Sequence, residues 1–179
     1  MGTGKVTNNA LDIMIEGPGF FPIQLPDGQI GYTRNGAFKK DGGGKIVDGN
    51  GFALQPEITV PPEATGLQIS QDGQVGIISG VTTNVQTLGQ IQLVNFVNPA
   101  GLKAMGKNVF LPTSASGIPL QGVPGQGGLG YLSQGQLEQS NVNIVDEMVN
   151  MITAQRSYET NSKVIQAADQ MLQYMNNLR

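Results

Sequence analysis

The chain has 179 residues, enough for one ordinary domain with a core or for a smaller domain plus an appendage. Its 26 Gly, 10 Pro and 13% charged residues lean toward β structure and turns, while 39% apolar residues exclude wholesale disorder. A net charge of −3 without a basic stripe argues against a nucleic-acid partner, and the absence of Cys and His removes disulfides, thiolate chemistry and the commonest general base and metal ligand.

The opening MGTGKVTNNALDI has no apolar signal-peptide core, and Val6 stands where a myristoylation motif requires Ser or Thr. No run approaches the ~18 apolar residues of a membrane span. From Leu11 the apolar residues alternate, with Leu11, Ile13 and Ile15 set against Asp12, Met14 and Glu16, which is the period of a half-buried strand. Next, GPGFFPIQLPDGQIGYTRNGAF reads as strand, Asp27-Gly28 turn, strand, Asn35-Gly36 turn, with Phe20 and Phe21 assigned to the core. Asp41-Gly42, Asp48-Gly49, Asn50-Gly51 and Asp72-Gly73 extend the series, each dipeptide suited to the positive φ of a tight hairpin. Short apolar runs (LQIS, VGII, IQLVNFV) lie between them. Strands this short, with turns every 8–12 residues or so, predict an antiparallel β-sandwich or barrel-like domain.

Residues 113–130, TSASGIPLQGVPGQGGLG, read as an extended linker or loop. Within them Gly125–Gly130 fits the letters of a dinucleotide fingerprint, but strand-like residues follow where a helix is required. Asp41 and Asp48 do not match a calcium-loop spacing, and nothing in the sequence brings Glu16, Glu57 and Glu63 together as an acid–base pair. The expectation is therefore no enzyme, no cofactor, no metal and no small-molecule substrate.

The chain divides into a β-rich part, 1–139, and a helical part, 140–179. Asn143 is the candidate N-cap, with Asp146 and Glu147 in the first turn, where the helix dipole favours negative charge. No Gly or Pro interrupts 140–179, so one helix of roughly 50 Å is expected from Ile144 to Leu178. Ile144, Met151, Tyr158, Ile165 and Leu172 recur every seventh residue, the spacing of a coiled coil. Glu159 and Lys163 are placed to pair one turn apart. A lone helix cannot cover its own apolar side, so the stripe demands a partner. Helices of other chains are the favoured cover, with the chain's own β body as the alternative.

Three stretches then point to a family. LDIMIEGPGFFPIQLPDGQIGYTRNGAFKKDGGGKIV resembles the opening of the β domain of bacterial flagellar axial proteins, the basal-body rod and hook family. GQIQLVNFVNPAGL resembles that family's F-x-N-P-x-G-L segment, and GYLSQGQLEQSNVNIVDEMVNMITAQRSYETNSKVIQAADQMLQ is similar to its C-terminal signature, most of all to the distal-rod members. The resemblance implies a structural subunit that polymerises with itself into the hollow drive shaft and carries torque from motor to hook. It implies neighbouring rod and hook subunits, the ring bushing proteins and the flagellar export apparatus as partners. It also implies a periplasmic rod location reached without a cleaved signal peptide. On this basis Val145, Met148, Met151, Ile152, Tyr158, Ile165, Leu172 and Met175 form the inter-helix packing surface, and Gln155, Arg156 and Asn161 supply polar register contacts. Family members carry an N-terminal helix ahead of the β domain, so the sequence is expected to be a truncated one. A proximal-rod or hook paralogue is the near alternative; a secreted β-domain binding module with a helical stalk is the distant one.

Overall fold

The computed structural model describes residues 2–79 and 82–177, the side chains of 79, 82–85 and 174–177 excepted. The chain forms two compact units, Met1–Ser140 and Asn141–Arg179. The first is built of short strands: β1 (Gly4–Val6), β2 (Ile13–Glu16), β3 (Phe21–Gln24), β4 (Ile30–Thr33), β5 (Lys39–Lys40), β6 (Ile46–Val47), β7 (Ala53–Leu54) and β8 (Ala64–Ile69). It continues with β9 (Gln74–Ser79), β10 (Thr82–Gln90), β11 (Leu93–Asn95), β12 (Lys103–Gly106), β13 (Val109–Leu111), β14 (Leu120–Gly122), β15 (Tyr131–Gln134) and β16 (Gln136–Glu138). The second unit is one helix, α1 (Ile144–Asn177). The expectation of a mainly β, antiparallel fold with one long C-terminal helix therefore holds.

Among the described residues every strand pairing is antiparallel. The largest sheet runs β12-β13-β4-β3-β7-β6-β5, a second runs β10-β9-β8, and β1-β16, β11-β14 and β15-β2 form two-stranded ladders. Alternation places the core as expected in β2, where Ile13 and Ile15 are buried and Glu16 is exposed. These two join Phe21, Phe38, Ile46, Leu54, Ile77, Leu93 and Leu132 in one apolar cluster. Phe21 meets Phe38 edge to face at 5.1 Å, while Phe20 sits at the border of a second cluster with Tyr32, Val94 and Phe96. Each large side chain removed from water contributes about 1.5–3 kcal/mol, and these clusters hold the β unit together.

The turns depart from the dipeptide reading in an instructive way. Gly28, Gly51 and Gly73 do take positive φ, but Gly36, Gly42 and Gly49 do not. In the four-residue turns that begin at Asp41 and Asp48, the closing residue, Gly44 or Gly51, adopts φ of 80° or 89° and donates its N–H to the opening Asp carbonyl. The Asp side chain supports the bend from inside: Asp48 Oδ1 accepts from the N–H groups of Asn50 and Phe52 at 2.8 and 2.9 Å. Both aspartates are thus turn residues. Gly36 serves another purpose, because it lies against Ile13, where a Cβ would fall 1.6 Å from the Ile13 carbonyl oxygen.

Residues 113–130 are mostly turn and loop, as expected, but the segment is anchored to the β unit. Ser116, Pro124 and Leu129 are buried, and Leu120–Gly122 pairs with β11. Ser116 Oγ accepts from the Thr113 N–H and donates to the Thr113 carbonyl, both at 2.9 Å, while Thr113 Oγ1 donates to the Gly101 carbonyl at 2.6 Å. The composition of the segment is that of a loop, yet its few apolar residues are used to anchor it. The Gly125–Gly130 stretch is a turn with positive φ at Gly125, Gly127 and Gly128, and the strand β15 follows it.

Candidate functional site

The long helix begins where its sequence dictates. Asn143 Oδ1 accepts from the Val145 N–H at 3.1 Å, and the Asn143 carbonyl accepts from the Glu147 N–H at the same distance. That is an N-cap, which contributes about 0.5–2 kcal/mol, and Asp146 and Glu147 add favourable charge in the first turn. With neither Gly nor Pro to break it, the helix runs 34 residues, about 51 Å at ~1.5 Å per residue. Thr153, Ser157 and Thr160 fold their hydroxyls back onto the carbonyls of Val149, Thr153 and Arg156 at 2.8–2.9 Å. Their polar groups are thereby satisfied within the helix itself. Glu159 and Lys163 form no ion pair with each other.

All the candidate packing residues lie on this helix. Val145, Met148, Met151, Ile152, Tyr158, Ile165 and Leu172 are exposed, as are Ile144, Val149, Val164 and Met171 beside them. Tyr158 is 77% exposed and Ile165 62%. Gln155, Arg156 and Asn161 are exposed polar residues of the middle turns. Met175 lies in the helix with its side chain outside the described residues, and Leu178 lies outside them altogether. Apolar side chains of this size in water are unfavourable in a folded protein unless another surface covers them.

Helix geometry does not bring these residues onto one seam. At about 100° per residue, the large apolar side chains from Ile144 to Ile152 centre on one direction. Those from Val164 to Leu172 centre about 180° away from it. The seven-residue line through Met151, Tyr158 and Ile165 runs along the edge of both patches. Periodicity alone reports the line and hides the change of side.

A second constellation, which the sequence reading passed over, lies in the β unit six residues ahead of the helix. Arg34 Nε donates to Glu138 Oε2 at 2.6 Å. Its Nη1 donates to the Gly19 carbonyl at 3.1 Å, and its Nη2 to the carbonyls of Gly17 and Ile15 at 2.8 and 3.3 Å. Glu138 Oε1 in turn accepts from the Gly2 N–H at 2.9 Å. Gly17 and Gly19 hold φ of 121° and 139°, which turns their carbonyls toward the guanidinium and is open only to glycine. One planar fork therefore ties the loop between β2 and β3 to the last strand of the unit. The available signal was that Arg34 is the sole arginine before Arg156.

Residues 14–77 match the family model described as the flagellar hook protein FlgE/F/G D1 domain, and residues 133–178 match that of the flagellar basal body rod FlgEFG protein C-terminal region. The flagellar basal-body rod protein FlgG of Buchnera aphidicola subsp. Schizaphis graminum is 46% identical over 177 residues, covering 99% of this chain and 68% of the relative. FlgG of Caulobacter vibrioides is 48% identical over 178 residues, with the same coverage of both chains. The flagellar hook protein FlgE of Salmonella typhimurium is 44% identical over 119 residues, 66% of this chain and 29% of that protein.

Proposed function

Because this chain belongs to the family of flagellar basal-body rod and hook proteins, we propose that it is a structural subunit of the distal rod, polymerising into the hollow shaft that carries torque from motor to hook. The observation that carries this reading is α1 itself, with eleven large apolar side chains exposed between Ile144 and Leu172. Such a surface calls for a covering partner, and in this reading further copies supply it. Val145, Met148, Met151, Ile152, Tyr158, Ile165, Leu172 and Met175 then pack against neighbouring helices, and Gln155, Arg156 and Asn161 fix their register. Burying seven or eight such side chains supplies on the order of 10–20 kcal/mol before entropy costs.

The β unit, with its buried clusters and satisfied turns, serves as the stiff outer body. Within it Asp41 and Asp48 brace turns, and Lys45 pairs with Glu57 at 2.8 Å. Likeness to FlgG-type rod proteins spans 99% of the chain, whereas likeness to the hook protein spans 66%, which favours a rod over a hook subunit. In this reading the partners are further copies and the adjoining rod and hook subunits. Contact with the ring bushings, passage through the flagellar export apparatus and a periplasmic rod position reached without signal cleavage complete the proposal.

The test is complementation. The full-length gene that contains this sequence, with any segment preceding it, expressed in a motile host lacking its own FlgG, is expected to restore swimming and to place the protein in the rods of purified basal bodies. Its absence from those basal bodies, or its presence in the hook instead, overturns the assignment.

A further inference from the structure

We propose that Met148, Met151 and Met171 form an oxidation site on α1, at which hydrogen peroxide converts the thioether to a sulfoxide and bars the subunit from the shaft. This rests on the rod reading above and adds a chemical control to it. Four of the chain's seven methionines, the fourth being Met175, lie on α1. Leucine would supply a similar apolar volume without an oxidisable atom, so the sulfur chemistry is concentrated where the subunits are to meet.

Placement separates the sulfurs into reachable and shielded ones. Met148, Met151 and Met171 are 57%, 60% and 66% exposed. Met14 is half-buried in β2, and a Cβ on Gly4 would lie 2.9 Å from its sulfur, so the thioether lies against β1. Met105, on β12, is 55% exposed and is a reachable sulfur outside the helix. Met148 and Met151 share their patch with Ile144, Val145 and Ile152, and Met171 shares its own with Val164, Ile165 and Leu172. None of these aliphatic neighbours carries a side-chain hydrogen-bond donor.

The step is a two-electron oxygen transfer. A sulfur lone pair attacks one peroxide oxygen, and the S–O bond forms as the O–O bond breaks. The leaving hydroxide takes the proton from the transferred oxygen and departs as water, so sulfur is oxidised and peroxide reduced. On the free helix the new sulfoxide oxygen is satisfied by solvent, and the chain keeps its fold. In a helix contact that oxygen must shed its water among side chains that offer no donor, and the packing is lost. Enzymatic reduction of the sulfoxide restores the thioether, which makes the block reversible. Neighbours cover the sulfurs once the subunit is built in, so the sensitive interval precedes assembly.

Peptide mass spectrometry of the purified full-length protein after hydrogen peroxide treatment reads the site. Met148, Met151, Met171 and Met105 are expected to gain oxygen several-fold faster than Met14. Equal rates at Met14 and at the three helix methionines overturn the placement. Assembly is read in a motile host lacking FlgG, with the full-length gene induced in sublethal hydrogen peroxide or without it. The quantity compared is the ratio of rods per cell in the two conditions, so a change in unstressed assembly cancels. That ratio is expected to fall several-fold for the parent and for Met105→Leu, and to show no such fall when Met148→Leu, Met151→Leu and Met171→Leu are combined. If the triple variant forms no rods, the three single variants are compared by the same ratio, and partial protection is expected from them. No fall for the parent, the same fall in the parent and the helix variants, or protection by Met105→Leu overturns the switch. A parent that enters no rods in the absence of peroxide defeats instead the rod assignment on which this rests.

Discussion

Arg34 and Glu138 stand 104 residues apart in sequence, yet the Arg34 guanidinium donates to the Glu138 carboxylate at 2.6 Å while gathering three backbone carbonyls with its remaining donors. Arg34→Ala leaves those carbonyls and the carboxylate short of partners at a largely buried place. We expect a loss of about 2–3 kcal/mol in the β unit, read from the denaturant midpoint. Arg34→Lys recovers only part of it, since an ammonium cannot span the fork. Equal stability of the alanine variant and the parent would show the network to be idle.

Gly36 and Gly42 occupy similar dipeptides but meet different surroundings. A Cβ on Gly36 would lie 1.6 Å from the Ile13 carbonyl oxygen, whereas one on Gly42 meets nothing within 4 Å. Neither residue has positive φ, so the contrast is one of space alone. Gly36→Ala is expected to cost more than about 3 kcal/mol or to prevent folding, and Gly42→Ala to stay within roughly 0.5 kcal/mol of the parent. Thermal unfolding of the pair decides it; similar melting temperatures would refute the close approach.

Tyr32 is buried in a cluster with Val94 and Phe96, and desolvation raises its phenol above the ordinary value of 10.0. The folded chain then holds this proton to higher pH than the unfolded chain does. Stability is unaffected below the unfolded value and falls as pH rises through and beyond it. Unfolding midpoints followed into the alkaline range should decline less in Tyr32→Phe than in the parent. Parallel declines in the two proteins would remove Tyr32 as the cause.

Ile165→Asp together with Leu172→Asp places two charges on the apolar patch of α1 between Val164 and Leu172. Rod assembly is expected to be lost in cells, while the melting of the β unit, which contains neither residue, stays unchanged. Electron microscopy of basal bodies reads the first outcome and calorimetry the second. Normal rods from this variant would remove that face from the assembly.

The sequence made some of these features legible and concealed others for physical reasons. The two-residue alternation of Ile13 and Ile15 and the cap at Asn143 are local rules, and the structure follows both. The role of Asp48 as the opening residue of a four-residue turn is local too, but a dipeptide scan assigns the positive φ to Gly49 when the closing Gly51 carries it. Burial of Ser116 and Leu129 could not be read from a Gly- and Pro-rich composition, because three or four anchors suffice to hold a loop. Arg34 and Glu138 are joined only by long-range pairing, which no spacing rule reports. On α1 the seven-residue line was visible, but the shift of the apolar side required summing the angle along the whole helix.

The pairing of β1 with β16 sets Gly4 beside Glu138 and Val6 beside Gln136. Some 130 residues of β structure thus lie between two strands that sit side by side, with the way in and the way out next to each other. Material added to or removed from exposed turns of that β structure leaves the pairing of those two strands as it was. Insertions and deletions in the intervening β structure can therefore change the bulk of the unit while its entry and exit stay adjacent.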